Sequence, residues 1–195
     1  MRRFFAAHGY NHVKWIFGRP TRNHHKGARE MAIETLRSIR CPILWLEDDA
    51  TPTPHYVEDI DVPDDAQAAY LGGGRIGLAH RVLAQLRRRP KRHAMIEQLR
   101  YCLPHPTKTK FRQSMYVDAP DAAWIRIITM FTGHAILWLD DTLREDMANI
   151  IERSTNCYDI AWATHQWRYR IYGLRHPLFY QDDGHHAHTQ EYCAE

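Results

Sequence analysis

Short runs of bulky apolar residues alternate along the chain with segments whose apolar residues recur every third or fourth position, a pattern that predicts an α/β fold. Val13, Trp15, Ile16 and Phe17 read as a strand, closed by Gly18, Arg19 and Pro20. Over residues 26–38, Ala28, Met31, Ala32, Thr35 and Leu36 fall on one face of an amphipathic helix. Ile43, Leu44, Trp45 and Leu46 follow Pro42 as an unbroken apolar run, the mark of a strand buried on both faces. Strand, helix and strand in this order predict a right-handed parallel βαβ unit. The residues after Leu46 then share a rim with the Gly18 and Arg19 loop.

Residues 51–54 read as a proline-broken turn and residues 58–65 as an exposed acidic connection. Ala68 to Leu71 form a strand that runs into Gly72, Gly73 and Gly74; these glycines serve a tight turn or a close backbone approach, with the turn preferred. Leu78, Val82, Leu83 and Leu86 mark one helix, and Met95, Ile96, Leu99 and Tyr101 another, with Arg87, Arg88, Arg89, Lys91 and Arg92 between them. Residues 104–120 are polar and irregular, the pattern of a loop, and carry Lys108, Lys110 and Arg112. Residues 124–131 and 135–139 are β-rich and predict neighbouring strands. Thr142 and Glu145 make a capping-box pair for a helix ending near Ser154, and Asp159 is placed to cap a second helix carrying Ile160, Ala163 and Trp167. Leu178, Phe179 and Tyr180 form the last ordered piece ahead of His185, His186 and His188.

Composition narrows the class without naming a reaction. A chain of 195 residues with 44% hydrophobic and 25% charged residues supports one globular core. Cys41, Cys102, Cys157 and Cys193 form no CxxC pair, which argues against a zinc ribbon or a disulfide scaffold and fits reduced thiols in a cytoplasmic protein. The apolar stretch behind Arg2 and Arg3 is too short for a signal peptide, and no window approaches a membrane span. A net charge of +3 is mild; 14 histidines add positive charge as pH falls.

The candidate chemistry lies where the strand over residues 43–46 meets Glu47, Asp48 and Asp49. Ligands of open α/β sheets bind outside the carboxyl ends of strands, and grouped carboxylates need a cation to offset their repulsion. Hard oxygen donors suit Mg2+ or Mn2+. A polar loop with one acid capping a turn is the alternative reading.

Gly27 to Ile33, then Cys41 to Asp49, then Pro52 are spaced in a way that resembles the GT-A class of nucleotide-sugar glycosyltransferases, most nearly the small lipopolysaccharide-type enzymes that carry an EDD motif. Residues 132–135, Asp159 and residues 177–181 are similar to the acceptor-side and closing segments of that class. The resemblance implies a compact, Rossmann-like GT-A fold with a mixed, mainly parallel sheet flanked by helices. It implies one catalytic domain over residues 1–195, with a nucleotide-sugar half to about residue 75 and an acceptor half beyond. It further implies a metal-dependent hexosyl transfer from a nucleotide-diphosphate sugar. Asp49 then binds Mn2+ or Mg2+ with His186 or His188; Glu47 or Asp48 faces the donor ribose; Arg29, Gly18 and Arg19 reach the donor; and Asp159 is the candidate base, with His134 an alternative on the acceptor side.

A basic patch of Arg88, Arg89, Lys91, Lys108 and Lys110 suits a phosphate-bearing acceptor. That extends the reading to hydroxymethylated bases in DNA, as some phage enzymes modify, with Tyr70, Trp124 or Trp138 stacking on a flipped base. A saccharide or lipopolysaccharide acceptor is the runner-up. Two other classes stay open: a metal-dependent nuclease using the same acids, histidines and basic patch, and a binding module without turnover.

Overall fold

The computed structural model describes residues 16, 24–73, 76–78 and 114–181. Helix α1 (His24–Ser38) covers the predicted amphipathic segment, with Ala32 and Leu36 fully buried. Among the described residues, nine strands then build one sheet: β1 (Ile43–Leu46), β2 (Ala50–Pro52), β3 (Ala68–Gly72), β4 (Ile76–Leu78), β5 (Ser114–Asp118), β6 (Trp124–Thr129), β7 (Ala135–Trp138), β8 (Ile171–Leu174) and β9 (Phe179–Gln181). Between β7 and β8 lie α2 (Asp141–Arg153), α3 (Tyr158–Ala163) and a 3-10 turn at Gln166–Arg168.

The main path of the sheet runs β1, β7, β3, β8, β6, β5, β4, with β9 joined to β3 and to β2. The sheet is mixed, as expected, but not mainly parallel: β3 pairs in parallel with β8 and β9, and β4 with β5, while the remaining described pairings are antiparallel. Strand β3 is buried throughout, as its central place demands. Strand β1 ends the described path and is buried on one face only, with Leu44 41% exposed. Its continuous apolar run therefore did not mean two buried faces. The strand expected over residues 13–17, and with it the parallel βαβ unit, lies outside the described residues apart from Ile16.

One face of the sheet packs on the helices through Trp45, Tyr70, Ile127, Ile136 and Ile171 against Leu36, Leu143, Met147 and Trp162. Arg144, 4% exposed, locks the helices together by donating to the Leu36 carbonyl at the end of α1 and to Asp141 at 2.8 Å. The other face buries Ala69, Leu71, Trp124, Tyr172 and Phe179 beneath Tyr56, Ile60 and Val62. Residues 58–65 thus expose their acids but pack their apolar members on the sheet, and the Trp124 indole donates to the Asp61 carbonyl at 3.1 Å.

Several local expectations change for identifiable reasons. Thr51 and Pro52 of the expected turn belong to β2 because Pro52 sits at its end, where a missing N–H is tolerated. Leu78 ends strand β4 rather than starting a helix, and β5 crosses the supposed loop because Met115 and Tyr116 are buried. Strands β6 and β7 are not neighbours: β6 lies between β5 and β8, and β7 between β1 and β3. Helix α2 is capped by Asp140, whose carboxylate accepts from Leu143 N at 2.6 Å, so Thr142 and Glu145 are not its capping box.

Trp162, 1% exposed, is the hub of an aromatic cluster: its ring centroid lies 5.0 Å from Tyr158, 5.4 Å from Trp138 and 6.0 Å from Trp45. Trp162→Ala is expected to cost about 3–5 kcal/mol in urea unfolding. A cost under about 0.5 kcal/mol, typical of a surface change, would contradict the cluster's central role.

Candidate functional site

Register brings four segments to one rim of the sheet. Leu46 and Gly72 both pair with Ala135, and Gly72 also pairs with Phe179, so the ends of β1 and β3, the start of β7 and the start of β9 converge. The pairing of β3 with β7 slips between Tyr70 and Gly72, an irregularity of the kind that re-aims side chains next to sites. Glu47, Asp48 and Asp49 follow β1 at this rim; Glu47 N donates to the His134 carbonyl at 2.9 Å, and Ala50 N to the Glu47 carbonyl at 3.1 Å. The tight turn carries the chain into β2, which pairs with β9 at Ala50 and Gln181. Gln181 in turn donates from Nε2 to Asp49 Oδ2 at 2.8 Å.

His134 is completely buried, 0% exposed, and Gly72 makes room for it. A Cβ at Gly72 would lie 2.6 Å from His134 Nε2 and 2.7 Å from the Phe179 carbonyl oxygen. The glycine that ends β3 thus serves a close approach rather than a turn. A Cβ at Gly133 would meet the Trp162 ring at 2.5 Å, so the backbone before His134 lies directly on the aromatic cluster.

The polar atoms at this rim are poorly satisfied. Among the described residues, Glu47 Oε1, Asp49 Oδ1 and both ring nitrogens of His134 are buried without a hydrogen bond of good geometry, the Phe179 carbonyl being the backbone group that acts on the His134 ring. Among the described residues no ion pair reaches Glu47, Asp48 or Asp49. Burial first, then the charges of Asp49, Asp159 and Asp48, push the Glu47 carboxyl up to about 8. Burial holds the His134 imidazole below its ordinary value, against the opposing pull of the Phe179 carbonyl and the Asp49 carboxylate, which keeps the ring neutral at physiological pH.

The sequence-predicted residues divide accordingly. Glu47, Asp48, Asp49 and His134 gather at the rim, and Asp159 is close enough for its charge to act on Glu47. Asp159 is not the helix cap: Cys157 holds that position in α3, and Asp159 stands in the first turn, accepting from Ile160 N at 2.8 Å. Arg29 is engaged elsewhere, its guanidinium donating to the Ser154 carbonyl that closes α2. Tyr70, Trp124 and Trp138 are 2%, 2% and 3% exposed, core residues rather than a platform for a flipped base. Gly18, Arg19, Arg88, Arg89, Lys91, Lys108, Lys110, His186 and His188 lie outside the described residues. Gln181 as the partner of Asp49 and Gly72 as the cradle of His134 carried no sequence pattern that fixed those roles, because the first arises from β9 folding back onto β2 and the second from β7 pairing with β3.

Among the described residues no three His, Cys, Asp or Glu side chains already stand as a metal-ligand set. The donor chemistry nonetheless fits a divalent cation: two carboxyl groups with an unpaired buried oxygen and a neutral imidazole, with no ion-pair partner among the described residues. Such ions are commonly held by one or two carboxylates, with substrate phosphates and water completing the shell. None of the described helices is long and apolar enough to cross a membrane. Comparison with known protein families, curated proteins and solved structures finds no match.

Glu47 gives the site a pH signature. Its folded-state pKa lies above the ordinary value of 4.5, so the stabilisation is complete below pH 4.5 and is lost as pH rises through about 8. Metal-free protein is expected to lose stability relative to Glu47→Gln across that window, by at most about 1.4 kcal/mol per pH unit. Parallel curves for the two proteins in denaturant titrations would show that Glu47 ionises as it does in water.

Proposed function

We propose that the chain is a metal-dependent glycosyltransferase that binds a nucleotide-diphosphate sugar at the end of β1 and transfers the sugar to an acceptor hydroxyl. The observation that carries this reading is the pair of buried, unpartnered carboxylate oxygens on Glu47 and Asp49 at a strand end, in the motif that resembles the GT-A transferases. Departure of a diphosphate builds negative charge, and a cation held by Asp49 would neutralise it as it develops. Asp48, the exposed member of the three, is placed to meet the donor from solvent. Asp159, whose charge acts on Glu47 from α3, is the candidate base for the acceptor hydroxyl, provided transfer inverts configuration.

The acceptor is an alcohol on DNA or on a saccharide. Burial of Tyr70, Trp124 and Trp138 removes the stacking rings from the DNA version, so the basic residues between 87 and 112 carry that version alone. Salt decides between them, because phosphate contacts make affinity fall steeply with ionic strength and sugar contacts do not.

Thermal unfolding with a panel of UDP-, GDP- and other nucleotide sugars, with and without Mn2+, tests the donor reading. At one hundred times Kd a bound donor stabilises by about 2.7 kcal/mol, a melting shift of roughly 5–10 °C at this chain length. The shift should require metal and vanish in Asp49→Asn, which keeps an acceptor for Gln181 but removes the charge; transfer should fall roughly 100- to 1000-fold. No metal-dependent shift with any donor, together with Mn2+-dependent cutting of unmodified DNA, would replace the transferase reading with a nuclease.

A further inference from the structure

Of the six buried side-chain atoms without a hydrogen-bond partner among the described residues, two are the indole N–H groups of Trp138 and Trp162, enclosed by aromatic rings, and the other four are Glu47 Oε1, Asp49 Oδ1 and the two nitrogens of His134. Leaving one such group unsatisfied costs about 1–3 kcal/mol, and with Phe179 close to Nε2 the remaining three, Glu47 Oε1, Asp49 Oδ1 and His134 Nδ1, mark a site whose ligand belongs to the working state. We propose that His134 supplies a nitrogen ligand, through Nδ1, to the cation that Asp49 holds at the end of β1, and that the site therefore prefers a first-row transition ion to Mg2+. The proposal rests on the cation part of the transferase reading and adds to it a ligand from the strand β7 side.

Three observations carry it. His134 is held in place by its surroundings: its carbonyl accepts from Glu47 N, and its ring is wedged over Gly72, where no Cβ fits. The Phe179 carbonyl is the backbone group that pulls on the ring, and it lies with Nε2 over Gly72, so the N–H of a neutral ring belongs on the Phe179 side and the Nδ1 lone pair is left as the donor. A backbone carbonyl behind the second nitrogen is the usual arrangement of a metal-bound histidine. Finally, burial is graded across the rim, from His134 at 0% exposure through the partly buried Asp49 to the exposed Asp48. A cation between His134 and Asp49 would have protein behind it and an open side for phosphate oxygens and water. Two protein ligands suffice for such an ion, in keeping with the absence of a three-residue set among the described residues. Imidazole among the donors moves preference toward transition ions.

The test uses the full chain loaded with Mn2+ alone, read by pulsed EPR for nitrogen coupled to the metal and by titration for affinity. Wild type is expected to show imidazole nitrogen coupling and to bind Mn2+ more tightly than Mg2+, and a variant with His185, His186 and His188 all changed to Ala is expected to keep the coupling. His134→Asn, whose oxygen reaches the Nδ1 position, should still bind but lose the coupling, while His134→Ala should weaken binding at least about 10-fold. Mn2+ bound at Asp49 without nitrogen coupling, or with coupling that disappears in the triple variant, overturns this proposal and leaves the transferase reading standing. No Mn2+ binding at all overturns both. If neither His134 variant folds, the triple variant alone decides: coupling retained supports His134, and coupling lost removes it.

Discussion

A carboxyl group and an imidazole buried at one strand end, each with polar atoms that no described residue satisfies, are the constraint around which the rim of this sheet is arranged. Water normally satisfies such groups, and removing it without a substitute is costly. Glu47 accommodates by holding its proton well into the neutral range, and His134 by staying neutral. Both responses leave lone pairs pointing into a place that has negative charges around it and, among the described residues, no positive one. A cation there, as proposed, would offset that imbalance.

The rest of the structure supplies the rigidity that keeps these groups in place. The turn after β1 is fixed from three sides: by the Glu47 to His134 backbone bond, by β2 against β9, and by Gln181 on Asp49. Beneath His134 the chain admits no side chain at Gly72, and ahead of it none at Gly133, where the Trp162 ring is in contact. Trp162 also belongs to α3, which carries Asp159, so the aromatic cluster sets the distance between the helix that bears the candidate base and the strand end that bears the acids. Packing in the helical layer is thereby tied to geometry at the rim. Gln166 acts in the same sense deeper in the core, accepting from Met130 N at 2.6 Å and donating to the Tyr70 hydroxyl at 2.5 Å, which pins the 3-10 turn to the strands.

What could be read from sequence follows from how local each signal is. Helix α1, the strand before the acids and the segment from β7 into α2 were legible because periodicity and apolar runs are local properties. Strand order was not: β6 and β7 are separated by β3 and β8, and nothing in residues 124–139 encodes that both β3 and β8 insert between them. Strand β5 was hidden because its two outer residues are exposed and its neighbours in sequence are polar. Within the site, the acids were found because carboxylates clustered behind an apolar run are conspicuous. Gly72 was noticed without its role, which depends on His134 arriving just ahead of β7, more than sixty residues later in the chain. Arg29 was assigned to the donor from family spacing, whereas its guanidinium closes the end of α2.

The central claim is that the unpartnered groups at the end of β1 are the inner wall of a cation site. A crystal of the protein soaked in Mn2+ and a nucleoside diphosphate, with data collected at the manganese edge, measures this directly. The account predicts an anomalous peak within bonding distance of Asp49, with diphosphate oxygens on its solvent side. A peak confined to the histidines at 185–188, or diphosphate bound with no metal at Asp49, would contradict it.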